Sequence, residues 1–222
     1  MKRLLLLLLL VGCSRAPTPT PTYQRPVCTF RHVDRHNVII TLDAGHGGKD
    51  PGALSANKQY QEKNLALATT LMVRDHLKAM GYQIHLTRTN DTFVPLTDRS
   101  KLANENKSDL FVSIHYNHSD SPTARGVEVF TFKTDVTGNR ETEAKKLAST
   151  VLSQVIECTS APSRGVKEAN FSVLRRTQMP AILVEGGFLS NEIELRYLQD
   201  PRYLNSVAWG IANGIDKYVS QK

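Results

Sequence analysis

Four residues in this chain have the types and positions to act together: His46, Glu62, His115 and Glu185. His46 lies in the glycine-rich loop GHGG, directly after the β-branched apolar run 38–43. His115 closes a second apolar run, LFVSIH at 110–115. Glu185 closes a third, AILVE at 181–185, which breaks at once into two glycines. Two histidines and a carboxylate with an open fourth position make a catalytic zinc site. A further carboxylate, not bound to metal, can then act as base toward water held there. On this reading His46, Glu62 and His115 are metal ligands and Glu185 is the base. Singly, each residue has a plainer account: His46 ends a turn, Glu62 is a first-turn helix carboxylate, and Glu185 is a charge at a strand exit. Jointly that account weakens, because Glu185 follows four apolar residues, where an ionised carboxylate is costly unless paired. His118, three residues past His115, is a weaker candidate ligand. His32 and His36 precede the domain, and His76 and His85 fall within a helix and a strand.

The elements that must position these residues follow from periodicity. Strands are expected at 38–43, 82–87, 110–115, 126–132 and 181–185. Helices are expected at 63–80, 96–106 with Thr97 as cap, 141–157, 191–199 and 201–218. Segment 171–174 is short and has no clear type. Glu62 stands at the mouth of the first helix, where the dipole favours a carboxylate. Strands alternating with helices predict an α/β fold: a single layered domain with a mostly parallel central sheet of about six strands flanked by helices. In such sheets the ligand crevice lies outside the carboxyl ends of the strands, where His46, His115 and Glu185 fall.

The 222 residues suffice for one substantial core. A formal charge of +7 suits an anionic partner such as a wall polymer or lipid surface. No run of five or six like charges accompanies it, so nucleic acid is not an expected partner. The N-terminus reads as an export signal: Met1-Lys2-Arg3, then an apolar run at 4–11. That run is too short for a bilayer span of roughly 20 residues but fits a secretory core. LVGC at 10–13 resembles a bacterial lipoprotein signal, which makes Cys13 the acylated residue. APTPTPT at 16–22 is an extended polyproline-like tether. The expected organisation is a lipoprotein signal peptide at 1–12, a lipidated Pro/Thr-rich tether at 13–36 and a catalytic domain at 37–222. The location is the bacterial envelope, lipid-anchored and facing the periplasm or cell wall. Cys28 and Cys158 remain, and an oxidising compartment would let them pair.

The blocks LDAGHGGKDPGA (42–53), QEKN (61–64), Arg99 with AN (103–104), DLFVSIHYN (109–117), RGVEV (125–129), RGVK (164–167), VLR (173–175) and MPAILVEGGFLSN (179–191) follow in order. They resemble the zinc-dependent N-acetylmuramoyl-L-alanine amidases of bacterial cell walls. The resemblance implies one zinc ion per chain on His46, Glu62 and His115, with Glu185 as catalytic carboxylate. It implies peptidoglycan as substrate, cut between the lactyl group of N-acetylmuramic acid and L-alanine, in wall remodelling or cell separation. Asn117 and Arg175 are substrate-side candidates. Some relatives carry an inserted helix that covers the zinc until an activator removes it. Here strand 126–132 leads directly to one helix and then to RGV at 164–166, so no activator is expected. Two alternatives stand beside this reading. Ser55-Ala56-Asn57-Lys58 fits the S-x-x-K pattern of penicillin-sensitive DD-carboxypeptidases. The chain could also be a non-catalytic peptidoglycan-binding lipoprotein, although all four chemical positions are filled.

Overall fold

The computed structural model describes residues 34–134 and 138–222. The export signal, Cys13, the 16–22 tether and Cys28 lie outside them. Residues 34–36 are held by the domain that follows: Arg35 pairs with buried Asp216 at 2.5 Å, and a 3₁₀ turn covers Arg35–Asn37. Cys158, near the end of a helix, makes no disulfide among the described residues.

Twelve elements follow: β1 (Ile39–Ala44), α1 (Glu62–Ala79), β2 (Gln83–Leu86), α2 (Leu96–Glu105), β3 (Leu110–Asn117), β4 (Val127–Phe132), α3 (Asn139–Thr159), β5 (Ser163–Ala169), α4 (Ser172–Arg176), β6 (Ala181–Phe188), α5 (Glu192–Leu198) and α6 (Pro201–Val219). The six strands form one sheet in the order β2-β1-β3-β6-β4-β5. All neighbours run parallel except β4 and β6, so β4 and β5 oppose the other four strands. The sheet is therefore mostly parallel, as the alternating pattern predicts. Two segments without an assigned type take one here. The polar stretch SRGVKEA is a strand, β5, at the edge of the sheet. Segment 171–174 begins the short helix α4. Thr97 is not a cap: α2 starts after Pro95, and the Thr97 hydroxyl bonds Asp98.

Strand alternation sorts the side chains onto two unlike faces. Ile40, Leu42, Val112, Ile114, Val127, Val129, Ile182 and Val184 point to one face, where α1, α3 and α6 cover them in the main core. Burying a side chain of this size stabilises by about 1.5–3 kcal/mol before entropy is counted, and this layer dominates stability. Helix α6 lies close on α3: a Cβ on Gly214 would stand 2.4 Å from Val151 Cα, and one on Gly210 2.6 Å from Val155 Cα.

The other face carries Thr41 and Asp43, then Ser113, His115 and Asn117, then Glu185, then Glu128. Only its lower half is apolar: Phe111, Ala181 and Leu183 pack under α2 and α4 with Ala103, Val173 and Leu174. These two helices are short. They leave the carboxyl ends of β1, β3 and β6 open in a cleft of about 850 Å³. No described helix is long and apolar enough to cross a membrane.

Candidate metal centre

The cleft floor is organised by Glu62, the first residue of α1. Its Oε1 lies 2.7 Å from His115 Nδ1 and accepts the Tyr116 amide at 3.1 Å. Its Oε2 lies 2.9 Å from His46 Nε2 and accepts the Ala53 amide at 2.8 Å. One nitrogen of each histidine and one Glu62 oxygen fall within 4.8 Å of one another. Neutral imidazoles and a carboxylate are the donors a zinc ion takes, so the residues present fit such an ion.

The loop after β1 reaches this point by an unusual backbone. His46 adopts φ 57°, a left-handed conformation that costs a β-carbon residue energy. Two buried arginines hold it there. Arg99 donates to the carbonyls of Ala44 (2.6 Å), His46 (2.7 Å) and Val94 (2.9 Å) and to Asp43 (2.8 Å). Arg88 donates to the carbonyls of Ala44, Gly45 and Lys63 at 2.7–2.9 Å. Asp43 is fully buried and balanced by Arg99, Thr87 and Ser113. Glycine is required at Gly52, where a Cβ would stand 2.5 Å from Glu62 Oε2 and from His46 Cδ2.

Residues 40–217 match the family model for N-acetylmuramoyl-L-alanine amidase. The amidase AmiC of Neisseria meningitidis is 33% identical over 220 residues, covering 82% of this chain and 53% of that protein. The chain thus spans about half the length of that relative. The solved catalytic domain of CwlV, an amidase from Bacillus (Paenibacillus) polymyxa var. colistinus, is 38% identical with a TM-score of 0.76, covering 83% of this chain and 99% of that one. CwlD of Clostridioides difficile, solved in complex with the GerS lipoprotein, is 32% identical with a TM-score of 0.78, covering 84% and 100%. The chain belongs to the N-acetylmuramoyl-L-alanine amidase family. It is accordingly a hydrolase of the bacterial cell wall, acting on peptidoglycan.

In this amidase Glu185 lies beside His115 in the β3–β6 register. Its Oε2 is buried and has no hydrogen-bond partner among the described residues. Burial drives its carboxyl well above the usual range, and the charges of Glu62 and Glu128 add to the effect. Burial acts on Glu62 in the same sense, but the bonds from His115 and His46 outweigh it and hold that carboxyl well below its usual value. Two carboxylates in one cleft are thereby pushed apart, one toward the ionised and one toward the protonated form.

Asn117 lines the cleft wall. Arg175 is exposed on α4, with its guanidinium turned to Asn170. His118 is exposed at the rim, 3.9 Å from Asp120, and is not in the ligand cluster. Ser55 is buried in a turn, where its hydroxyl donates to Asn57 and accepts the Tyr60 amide. The S-x-x-K pattern is therefore turn chemistry, with Lys58 at the left-handed position. Sequence reasoning gave no role to Asp43, Asp50, Arg88, Arg99 or Glu128. The carboxylate inside the apolar run 38–43 was the signal for a buried ion pair.

Proposed function

We propose that the amidase cleaves the amide between the lactyl group of N-acetylmuramic acid and L-alanine, with one zinc ion held by His46, Glu62 and His115. The reading is carried by the unpartnered Glu185 carboxyl beside a three-donor metal cluster in an open cleft. A zinc ion held by His46, Glu62 and His115 would supply Lewis acidity at this point of the cleft. The remaining work falls to the chain. Asp50 fixes the His46 imidazole from behind, and among the described residues Glu185 Oε2 has no competing hydrogen bond. Its raised proton affinity suits it to take a proton from water and return it to the leaving amine nitrogen.

Free stem peptides beginning with L-alanine should appear by mass spectrometry when zinc-loaded protein is incubated with muropeptides. Glu185→Gln should keep its zinc and lose at least a hundredfold in kcat. His46→Ala should lose the zinc itself. Wild-type turnover in Glu185→Gln would reject the assignment of the base.

The N-terminal features support an exported lipoprotein anchored through Cys13, with residues 16–22 as tether. Release of Cys13→Ala from the membrane fraction tests this. The connection from β3 to β4 is confined to residues 118–126, which supports activity without an activator. Purified protein that stays inert on peptidoglycan until a partner is added would reject that part.

A further inference from the structure

The edge strand β5 carries two cations that the proposed chemistry does not use. Glu128 on β4 is only 5% exposed and stands opposite Glu185 in the antiparallel β4–β6 pairing. Its Oε1 accepts from Asn117 Nδ2 at 2.7 Å. Its Oε2 accepts from Arg164 Nε at 2.7 Å and lies 2.5 Å from Lys167 Nζ. Arg164 and Lys167 are three residues apart, so an unbroken strand would aim them at opposite faces. They share a face because the β4–β5 register shifts between Val127 and Val129, at a bulge with Gly165 at φ 84°. Bulges re-aim side chains, and this one delivers a second cation to a carboxylate that one would neutralise. The cluster is left with one net positive charge, and Arg164 and Lys167 remain 34% and 38% exposed.

Both cations bond Glu128, which is one hydrogen bond from Asn117 in the cleft lining. Lys167 lies over the Phe130 ring, which meets edge-on the ring of Phe171 in the cleft wall. Arg164 lies over the ring of Phe188, at the end of β6. The cation lining the cleft itself, Arg99, is spent on Asp43 and three carbonyls, so beside the cleft a substrate anion finds its unspent charge at Arg164 and Lys167.

We propose that Arg164 and Lys167 form a subsite for a carboxylate of the stem peptide. The inference rests on the amidase reading above. Neighbouring strands lie about 4.8 Å apart, which puts β5 roughly 10 Å across the sheet from Glu185, and both side chains reach back over β4. The residue after L-alanine is a γ-linked D-glutamate whose α-carboxylate remains free. One extended residue spans about 3.5 Å, so that group falls roughly 7 Å from the scissile nitrogen, within reach of the pair.

The test uses the zinc-loaded full-length chain and three muramoyl tripeptides. One has both carboxylates free, one is amidated only at the second residue, and one only at the terminal residue. Wild type should cleave the first about tenfold better in kcat/KM than the second, with the difference in KM, as one charge-assisted hydrogen bond supplies. Lys167→Met and Arg164→Gln should each shrink that ratio toward one, and Lys167→Arg should restore it. Equal wild-type kcat/KM on the first two substrates overturns the proposal whatever the variants do. So does a preference lost only on terminal amidation, or an unchanged ratio in both neutral variants. If wild type cleaves none of the three, the amidase reading itself fails and takes this subsite with it.

Discussion

Asp50 fixes the ring of His46: its Oδ2 lies 2.8 Å from Nδ1, which leaves Nε2 to face Glu62. A carboxylate behind a ligand histidine sets its tautomer and raises its basicity. Asp50→Ala should weaken zinc binding by about 10–100-fold, measured by competition with a chromophoric chelator. Activity should return at saturating zinc, because Asp50 acts through the His46 ring and is not one of the three metal donors. Unchanged zinc affinity would count against this role.

Zinc uptake should release a proton near neutral pH. Burial alone would lower the His46 imidazolium, but the Glu62 and Asp50 carboxylates outweigh it and hold it above its ordinary value of 6.5 in the metal-free protein. Its contribution to stability is therefore full below about 6.5 and lost as pH rises through the raised value. Glu62 is depressed from 4.5, so its contribution is present above that pH and lost as pH falls. Metal-free protein should thus be most stable between these limits. Calorimetry of zinc binding at pH 6.5, in buffers of different ionisation enthalpy, should show proton release that shrinks in Asp50→Ala, which keeps all three metal donors.

Arg99→Ala removes four hydrogen bonds and strands the buried Asp43 carboxylate. Breaking one side of a buried pair costs about 3–5 kcal/mol, so denaturant midpoints should fall sharply. Arg99→Lys keeps the charge but not the fork that spans Asp43 and the carbonyls. It should lose less stability yet still bind zinc more weakly, because the His46 carbonyl is released. A lysine variant with wild-type zinc affinity would show that the loop holds itself.

Gly214→Ala should destabilise by about 1–3 kcal/mol despite the better helix propensity of alanine, since the added methyl meets the α3 backbone. Zinc affinity should not change, because α6 packs on the far face of the sheet. Equal urea midpoints for the variant and wild type would contradict the packing argument.

The four chemical residues were legible because His115 and Glu185 close apolar runs and His46 follows one within three residues, and an apolar run fixes a strand whose carboxyl end emerges at the crevice. Glu62 was legible as the opening of an amphipathic helix. The supports were not. Arg88 and Arg99 bond mainly to carbonyl groups, which every residue has and no sequence pattern marks. β5 was missed because an edge strand facing a charged site has polar residues on both alternations, leaving no period to read. Ser55 and Lys58 had the spacing of a catalytic pair, but that spacing equally closes a tight turn.

The reversed direction of β4 and β5 has a consequence for descent. Their first residues, not their last, reach the cleft, so the chain from β3 doubles back at its rim through residues 118–126. Such a loop lies outside the hydrogen-bonded ladder, and doubling its length costs only about 0.6 kcal/mol. Lineages sharing this scaffold are free to lengthen, shorten or ornament the entrance while the catalyst beneath is inherited intact.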